Sequence, residues 1–327
     1  MMAAMVDRVL EASIVGSFTS LGYGARRRLF GWDDDEIDLA GRTALITGGT
    51  SGLGRAAAVA MARRGATVLI TGRDITKGGL AEAEIIEESG SDQVTFLAAD
   101  LAGLDATRRL AEDVAGRVDH LDVLVHNAGA LLADRVVTED GLETTFQVHV
   151  VAPALLTHEL VPLLRASDGA RVVWVSSGGM YSQKLDVDDV EMTADDYDGT
   201  KAYAKAKRAQ VEMIPRWAEE LAADGIAVHA MHPGWADTPG VEASLPTFGK
   251  IIGPLLRTPE QGADTIVWLA GAPRDTIGSG RFWLDRQERS THKLGLTRAD
   301  DPEAEVDRLW DLVADRAGVD TLVTVDG

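Results

Sequence analysis

From residue 42 onward the chain alternates short apolar runs with longer stretches in which apolar residues recur every three or four positions. The short runs are Thr43–Thr47, Thr67–Thr71, Val94–Ala99, Leu121–His126, Arg171–Val175, Ile226–Met231 and Gly280–Leu284. They are rich in Val, Ile and Leu and too short for helices, so they predict strands. Helical patterns cover Leu53–Arg64, about Thr76–Glu88, Asp105–Gly116, about Gly141–Leu164, Lys201–Ala223 and Pro259–Ala270,. Strands alternating with helices of this length imply parallel βαβ units with right-handed crossovers. The predicted fold class is therefore α/β, a doubly wound parallel sheet of the Rossmann type with helices on both faces.

This pattern assigns residues 40–290 to a single domain with an extension at each end. In the N-terminal extension, residues 1–39, Met5, Val6, Val9, Leu10, Ile14, Val15, Phe18 and Leu21 approximate one helical face, and Arg26-Arg27-Arg28 follow. A helix lying on a membrane surface has this form. So has a helix packed on its own domain or on a partner subunit, and Asp7 and Glu11 suit a membrane poorly. The small-residue cleavage site of a signal peptide is lacking, and no run of 18 apolar residues predicts a spanning helix. The acidic run Asp33-Asp34-Asp35-Glu36 marks the boundary with the domain, and residues 291–327 leave the alternating pattern, with a closing helix predicted over Pro302–Arg316.

Composition narrows the function. The 327 residues carry a formal net charge of −20, which excludes nucleic acid as an expected partner because phosphate binding needs clustered Lys and Arg. The Lys-poor, acidic surface fits a high-salt cytoplasm, and equally the codon bias of a GC-rich genome. Without cysteine there is no disulfide, thiolate metal site or Cys nucleophile, which suits a reducing cytoplasm. His126, His149 and His232 lack helical ligand spacing, so no metal site is expected,.

The first strand runs into Thr47-Gly48-Gly49-Thr50-Ser51-Gly52-Leu53-Gly54, where a helix begins. Glycine-rich turns in this position let the backbone approach a pyrophosphate, and the helix start faces it with free N–H groups. The second strand ends in Gly72-Arg73-Asp74. Sites selective for NAD usually place an acid there for the ribose hydroxyls. Here glycine takes that position, and the Arg73 guanidinium can grip a 2′-phosphate. NADP(H) is thus expected over NAD(H), although Arg73 can also be read as a surface arginine paired with Asp74. Asp100, followed by Leu101, ends the third strand, where it can accept from an adenine amino group or cap the next helix,. Asn127-Ala128-Gly129 ends the fourth, with small residues that admit the cofactor and an amide that can tie neighbouring strands.

Two Tyr-x-x-x-Lys pairs follow, Tyr197 with Lys201 and Tyr203 with Lys207. At this spacing both side chains share one helix face. A phenol is a poor base at neutral pH, and a nearby ammonium favours its ionised form. Fixed geometry requires a helix, and the helical pattern selects Tyr203 and Lys207, whereas Asp195, Asp196 and Gly199 make the first pair read as loop. Ser177 follows the fifth strand, where its hydroxyl can orient a substrate oxygen, with Ser176 bonding locally. After the sixth strand, His232-Pro233-Gly234-Trp235-Ala236-Asp237-Thr238 offers a turn suited to a carboxamide. The substrate is expected between Ser177–Thr200 and Trp235–Leu256. Trp235, Leu245, Phe248, Ile251, Ile252, Leu255 and Leu256 indicate a hydrophobic alcohol or carbonyl, or a lid packed on itself,.

Taken in order over residues 40–290, these motifs resemble the short-chain dehydrogenase/reductase family. Ser176-Ser177-Gly178-Gly179-Met180, the run from His232 to Pro239, Gln261–Thr265, Trp268–Ala270 and Asp285-Arg286 are similar to its branch called dehydrogenase/reductase family member 12. The resemblance implies Tyr203 as acid/base, Lys207 as ribose anchor and activator of the tyrosine, Ser177 as substrate orienter, and a homodimer through the two long helices. One position departs from it. His149 stands where the family usually has an Asn that helps hold a water beside the lysine, so the proton relay is expected to differ. A nucleotide-binding scaffold without turnover is the competing reading, resting on His149 and the extensions.

Overall fold

The computed structural model describes residues 2–32, 37–237, 253–293 and 295–323. Its centre is an eight-stranded sheet in the order β3-β2-β1-β4-β5-β6-β7-β8, comprising β1 (Thr43–Ile46), β2 (Thr67–Gly72), β3 (Val94–Ala98), β4 (Val123–His126), β5 (Arg171–Val175), β6 (Ala227–Met231), β7 (Arg281–Leu284) and β8 (Gln287–Glu288). All pairings are parallel except that of β7 with β8. This is the doubly wound sheet that the alternating pattern predicts. The strand order reverses between β1 and β4, which opens a crevice at their carboxyl ends.

The period of two along each strand divides the core. Leu45, Leu124, Val172 and Trp174 point into one apolar cluster; Ala44, Ile46, Val123, Val125 and Val173 point into the other,. The second cluster is covered by α4 (Gly52–Ala62), α5 (Ile75–Ser89) and α9 (Pro259–Gly271). The first is covered by α6 (Leu104–Ala115), the long helices α7 (Thr144–Arg165) and α8 (Gly199–Glu220), and α11 (Pro302–Ala317). A short helix, α10 (Arg274–Ile277), precedes β7. By length and apolarity α7 could cross a membrane, yet 72% of its most apolar window is buried in the molecule. Its hydrophobicity serves the core. Helix α11 lies across α7 and α8, with Leu309 and Val313 fully buried and Trp310 packed 4.8 Å from Trp217.

The apolar face over residues 3–23 does not form one helix. It breaks into α1 (Met2–Ala12), α2 (Ile14–Phe18) and α3 (Ser20–Phe30). Ser13 caps α2 by accepting from the Gly16 amide, and Thr19 is extended between α2 and α3. Gly22 then packs so close to α2 that a Cβ would sit 2.3 Å from the Gly16 carbonyl oxygen. These helices pack on their own domain through charge as well as apolar area. Arg26, fully buried, pairs with Asp7 at 2.7 Å and with Asp285 at 2.7 Å. Arg289 also holds Asp7, at 2.7 Å. Burial alone would raise the Asp7 carboxyl, but its hydrogen bonds to Arg289 and Arg26 hold it below the usual range. Met5, Val9 and Leu21 stay exposed on the outer surface.

Candidate active site

The carboxyl ends of β1, β4, β5 and β6 lie side by side, and each is followed by a segment that the sequence singles out. After β1, Gly48 turns with φ of +66°, a conformation that favours glycine,. The turn is tied to the end of β4 by Asn127, whose side-chain amide donates to the carbonyls of Thr47 at 3.0 Å and Gly48 at 3.1 Å. The Thr47 hydroxyl accepts from the amides of Asn127 and Ala128. Thr47 opens the glycine-rich run in the sequence without a role of its own there, although a hydroxyl at a strand end beside a glycine turn is the signal for it. Gly54 sits under the turn, where a Cβ would lie 2.4 Å from the Gly48 carbonyl oxygen.

Ser51 is the N-cap of α4, yet its side chain makes no capping hydrogen bond. The first amides of α4 are thus uncapped by a side chain at the crevice, beside exposed Ser51 and half-buried Gly52 and Leu53. A phosphate suits this geometry, so the residues present fit a dinucleotide. At the end of β2 a Cβ on Gly72 would lie 2.7 Å from the Thr50 methyl, leaving no room for an acidic side chain. Arg73 is exposed and makes no hydrogen bond or ion pair among the described residues. Asp74 does not pair with it: its carboxylate caps α5 by accepting from the Lys77 amide at 3.0 Å. Asp100 is exposed and accepts from the Ala102 amide at 3.0 Å; Leu101 is buried.

The structure brings Ser177, Tyr203, Lys207 and His149 together. Helix α8 begins at Gly199, capped by Asp198, so Tyr203 and Lys207 are separated by one helical turn and share a face,. Tyr203 is half-buried and its phenol feels the Ser177 side chain, whose hydroxyl accepts from the Gly179 amide at 3.2 Å. Lys207 is buried, donates to the Val175 carbonyl at 2.7 Å and lies 5.6 Å from the centre of the Tyr203 ring. The Ser176 hydroxyl donates to the Lys207 carbonyl at 3.1 Å, which ties α8 to the end of β5. By contrast, Tyr197 lies before the helix cap and donates to Glu143 at 3.0 Å, and Lys201 is exposed.

Burial sets the electrostatics here. It pushes the Lys207 ammonium down to about 7 and raises the Tyr203 phenol, against a lowering by the Ser177 side chain,. His149 sits in a π-helical turn of α7, Gln147–Val151, a distortion that often marks functional sites,. Its ring stands edge-on to Tyr203 at 5.2 Å. The imidazole Nε2 lies 3.1 Å from the Ala130 amide and 2.8 Å from the Ala130 carbonyl oxygen, accepting or donating according to tautomer,. Exposed Gly129 is needed beside it, because a Cβ would lie 2.5 Å from the imidazole Cε1. Burial first, and then the Lys207 charge, hold His149 well below the usual histidine value. Gln210, missed from sequence, donates to the His149 carbonyl at 2.6 Å.

After β6, buried His232 accepts from the Gly234 amide at 3.0 Å, and Pro233 and Gly234 stay half-buried beside buried Ala236. Gly234 has φ of +76°, and a Cβ there would lie 2.3 Å from Arg257. Of the apolar residues expected beside the substrate, half-buried Trp235, Leu255 and Leu256 are described. Thr238, Leu245, Phe248, Ile251 and Ile252 lie outside the described residues. Among the described residues no group of three or more His, Asp or Glu could hold a metal ion.

Burial also makes the histidines acid-sensitive. His126, bonded to Thr157 at 2.7 Å, is held down at about 3, and His229 at about 4. The unfolded chain takes up these protons near 6.5, while the folded chain cannot, so this stability is lost as pH falls below that value. Urea midpoints measured from pH 7.5 down to pH 5 should fall less in His126→Gln than in the parent. An equal fall would show that His126 does not titrate on unfolding.

The comparisons agree with this geometry. Residues 42–247 match the family model described as short chain dehydrogenase. The chain is 41% identical over 302 residues to dehydrogenase/reductase SDR family member 12 of Bos taurus, covering 92% of this chain and 94% of the relative. It is 36% identical over 280 residues to polyprenol dehydrogenase of Mus musculus, covering 83% and 82%. A short chain dehydrogenase from Escherichia coli, crystallised with NADPH, aligns with a TM-score of 0.63 at 28% identity, covering 77% of this chain and 99% of that one. With the fold, the glycine turn and the tyrosine–lysine face all in family order, the chain belongs to the short-chain dehydrogenase/reductase family of oxidoreductases, which bind nicotinamide cofactors.

Proposed function

We propose that the protein is an NADP(H)-dependent oxidoreductase that interconverts an alcohol and a carbonyl on a hydrophobic small molecule. The observation that carries this is Tyr203, half-buried at the cleft with its phenol influenced by Ser177, and buried Lys207 one turn along the same helix face. In the reductive direction Tyr203 donates its phenolic proton to the carbonyl oxygen, and in the oxidative direction it takes the proton back. Ser177 orients that oxygen, and Lys207 favours the phenolate by its charge. His149 holds the Ala130 backbone and the Tyr203 ring, acting as a neutral group.

NADP(H), when bound, exchanges hydride with the substrate carbon. Gly48, Thr50, Ser51, Gly52, Leu53 and Gly54 would hold its pyrophosphate, and Asp100 and Leu101 its adenine. Asn127, Ala128 and Gly129 would let it approach the sheet, Lys207 would bind ribose, and Pro233, Gly234 and Ala236 would face its carboxamide. Half-buried Trp235 and Leu255 support a hydrophobic substrate, as does the name of the polyprenol dehydrogenase relative. A homodimer through α7 and α8 would use only what α11 leaves uncovered on them.

The preference for NADP(H) rests on Gly72, Arg73 and Asp74. The acid of an NAD site has no room at Gly72, Arg73 is unpaired among the described residues, and Asp74 is engaged in capping. Fluorescence titration should show NADPH bound at least about tenfold more tightly than NADH, roughly 1.4 kcal/mol, and Arg73→Ala should lose most of that difference. Equal binding of the two would overturn the cofactor assignment. Binding of neither by the folded protein would overturn the redox reading.

A further inference from the structure

The end of α2, with Thr19 after it, reaches the substrate side of the cleft. Phe18 is buried at 3% exposure. Its ring stands edge-on to His232 at 4.3 Å and to Trp235 at 5.8 Å, in the turn that follows β6. It also closes on the turn that carries Ser177: a Cβ on Gly178 would lie 3.0 Å from the Phe18 ring. One side chain from the N-terminal extension therefore packs against both turns that flank the proposed substrate position.

The backbone of the same segment is pinned. The Trp235 amide donates to the Phe18 carbonyl at 2.7 Å. Arg257, buried at 1% exposure, donates to the carbonyls of Ser17 at 2.9 Å, Phe18 at 3.1 Å and Pro233 at 3.2 Å. Its own backbone continues the arrangement, donating to the Trp235 carbonyl and accepting from the Asp237 amide, both at 2.8 Å. Asp285 fixes the guanidinium through two hydrogen bonds of 2.6 and 2.9 Å. Arg257 thus joins three stretches of chain: residues 17–19, the turn after β6, and the segment leading into α9. A hinge or an appendage would not need a buried guanidinium with this many backbone acceptors.

We propose that residues 17–19 are a positioning element of the substrate site, in which Phe18 sets the turns of Ser177 and Trp235 and Arg257, clamped by Asp285, pins the segment in place. Its effect on turnover rests on the redox reading above, whereas the pin does not. Ser177 and Trp235 face the substrate in that reading, while the dinucleotide turn at Gly48–Gly54 lies after β1. Disturbing the segment should therefore weaken substrate binding and leave cofactor binding in place.

The test uses the full-length chain and the variants Phe18→Ala, Phe18→Leu and Arg257→Lys. Amide exchange of a peptide containing Trp235 is followed together with NADPH binding and turnover of an apolar carbonyl substrate. Phe18→Ala should raise KM about tenfold with kcat and NADPH affinity within about twofold, and Phe18→Leu should recover most of the loss. Arg257→Lys keeps a cation but not the fork geometry, so the Trp235 amide should exchange at least about tenfold faster. Parental KM in Phe18→Ala together with parental exchange in Arg257→Lys would overturn the proposal. A loss of thermal stability without either change would overturn it too, because Phe18 would then be core packing only. If the parent turns over no carbonyl, the redox reading fails and exchange alone decides: faster exchange at Trp235 in Arg257→Lys upholds the pin, and unchanged exchange overturns it.

Discussion

Tyr203→Phe should lower kcat for carbonyl reduction about a thousandfold, within the range that a positioned general acid supplies, while NADPH binding stays near the parental value. The substitution removes one oxygen, the phenolic atom whose acidity Ser177 influences. Phenylalanine keeps the ring, so its edge-on contact with His149 at 5.2 Å survives, and neither fold nor dinucleotide turn has reason to change. The direction of the reaction adds a pH signature. Burial raises the Tyr203 phenol above its ordinary value, against a lowering by the Ser177 side chain. A proton is therefore on hand for reduction at neutrality. Oxidation needs the phenolate, so its rate should climb with pH while reduction stays level or falls, the climb being shallower above about 7, where Lys207 loses the charge that favours the phenolate. Steady-state rates in both directions between pH 6 and 10 check this. A Phe variant that keeps a tenth or more of parental kcat would show that another group moves the proton.

How much of this was legible in the sequence depended on how local its cause was. Strand Arg171–Val175 is found with the predicted bounds, because a run of β-branched residues buried on both faces leaves few alternatives. The two Tyr-x-x-x-Lys pairs separate on local grounds as well: Asp198 caps the helix after Tyr197 and before Tyr203. The N-terminal extension shows the opposite case. Its apolar period suggests one helix, but Ser13 and Thr19 interrupt it, and the capping signals at Ser13 and Gly16 outweigh the period,. The hairpin of β7 and β8 was not expected either, since its two turn residues, Asp285 and Arg286, both take φ of +55°, where Asn-Gly is the usual sequence,. Arg26 and Arg257 look like surface residues in the sequence. Their burial depends on partners such as Asp285, 259 residues from Arg26, and no periodicity reports a pairing over that distance.

Asp285→Asn should destabilise the protein by about 3–5 kcal/mol, the cost of leaving buried charge without its partner. Asp285 is 1% exposed; its carboxylate accepts from Arg26 at 2.7 Å and from Arg257 at 2.6 and 2.9 Å. Asparagine has nearly the same shape and tolerates positive φ about as well as aspartate. The substitution therefore removes charge while sparing the turn. Arg26 keeps Asp7 as a counter-ion, but Arg257 is left with backbone carbonyls alone among the hydrogen-bond partners described for it. The new amide group also presents donors where two guanidiniums already donate. Urea unfolding of parent and variant at neutral pH measures the difference, and a loss below about 1 kcal/mol would mean that water or a shift of α3 relieves the two cations. The same change bears on function through geometry. With Arg257 released, the Ser17, Phe18 and Pro233 carbonyls lose their common donor, so the N-terminal helices and the turn after β6 should loosen together. Faster exchange at Trp235 in Asp285→Asn, at urea concentrations where the sheet amides are still protected, would show that loosening ahead of global unfolding.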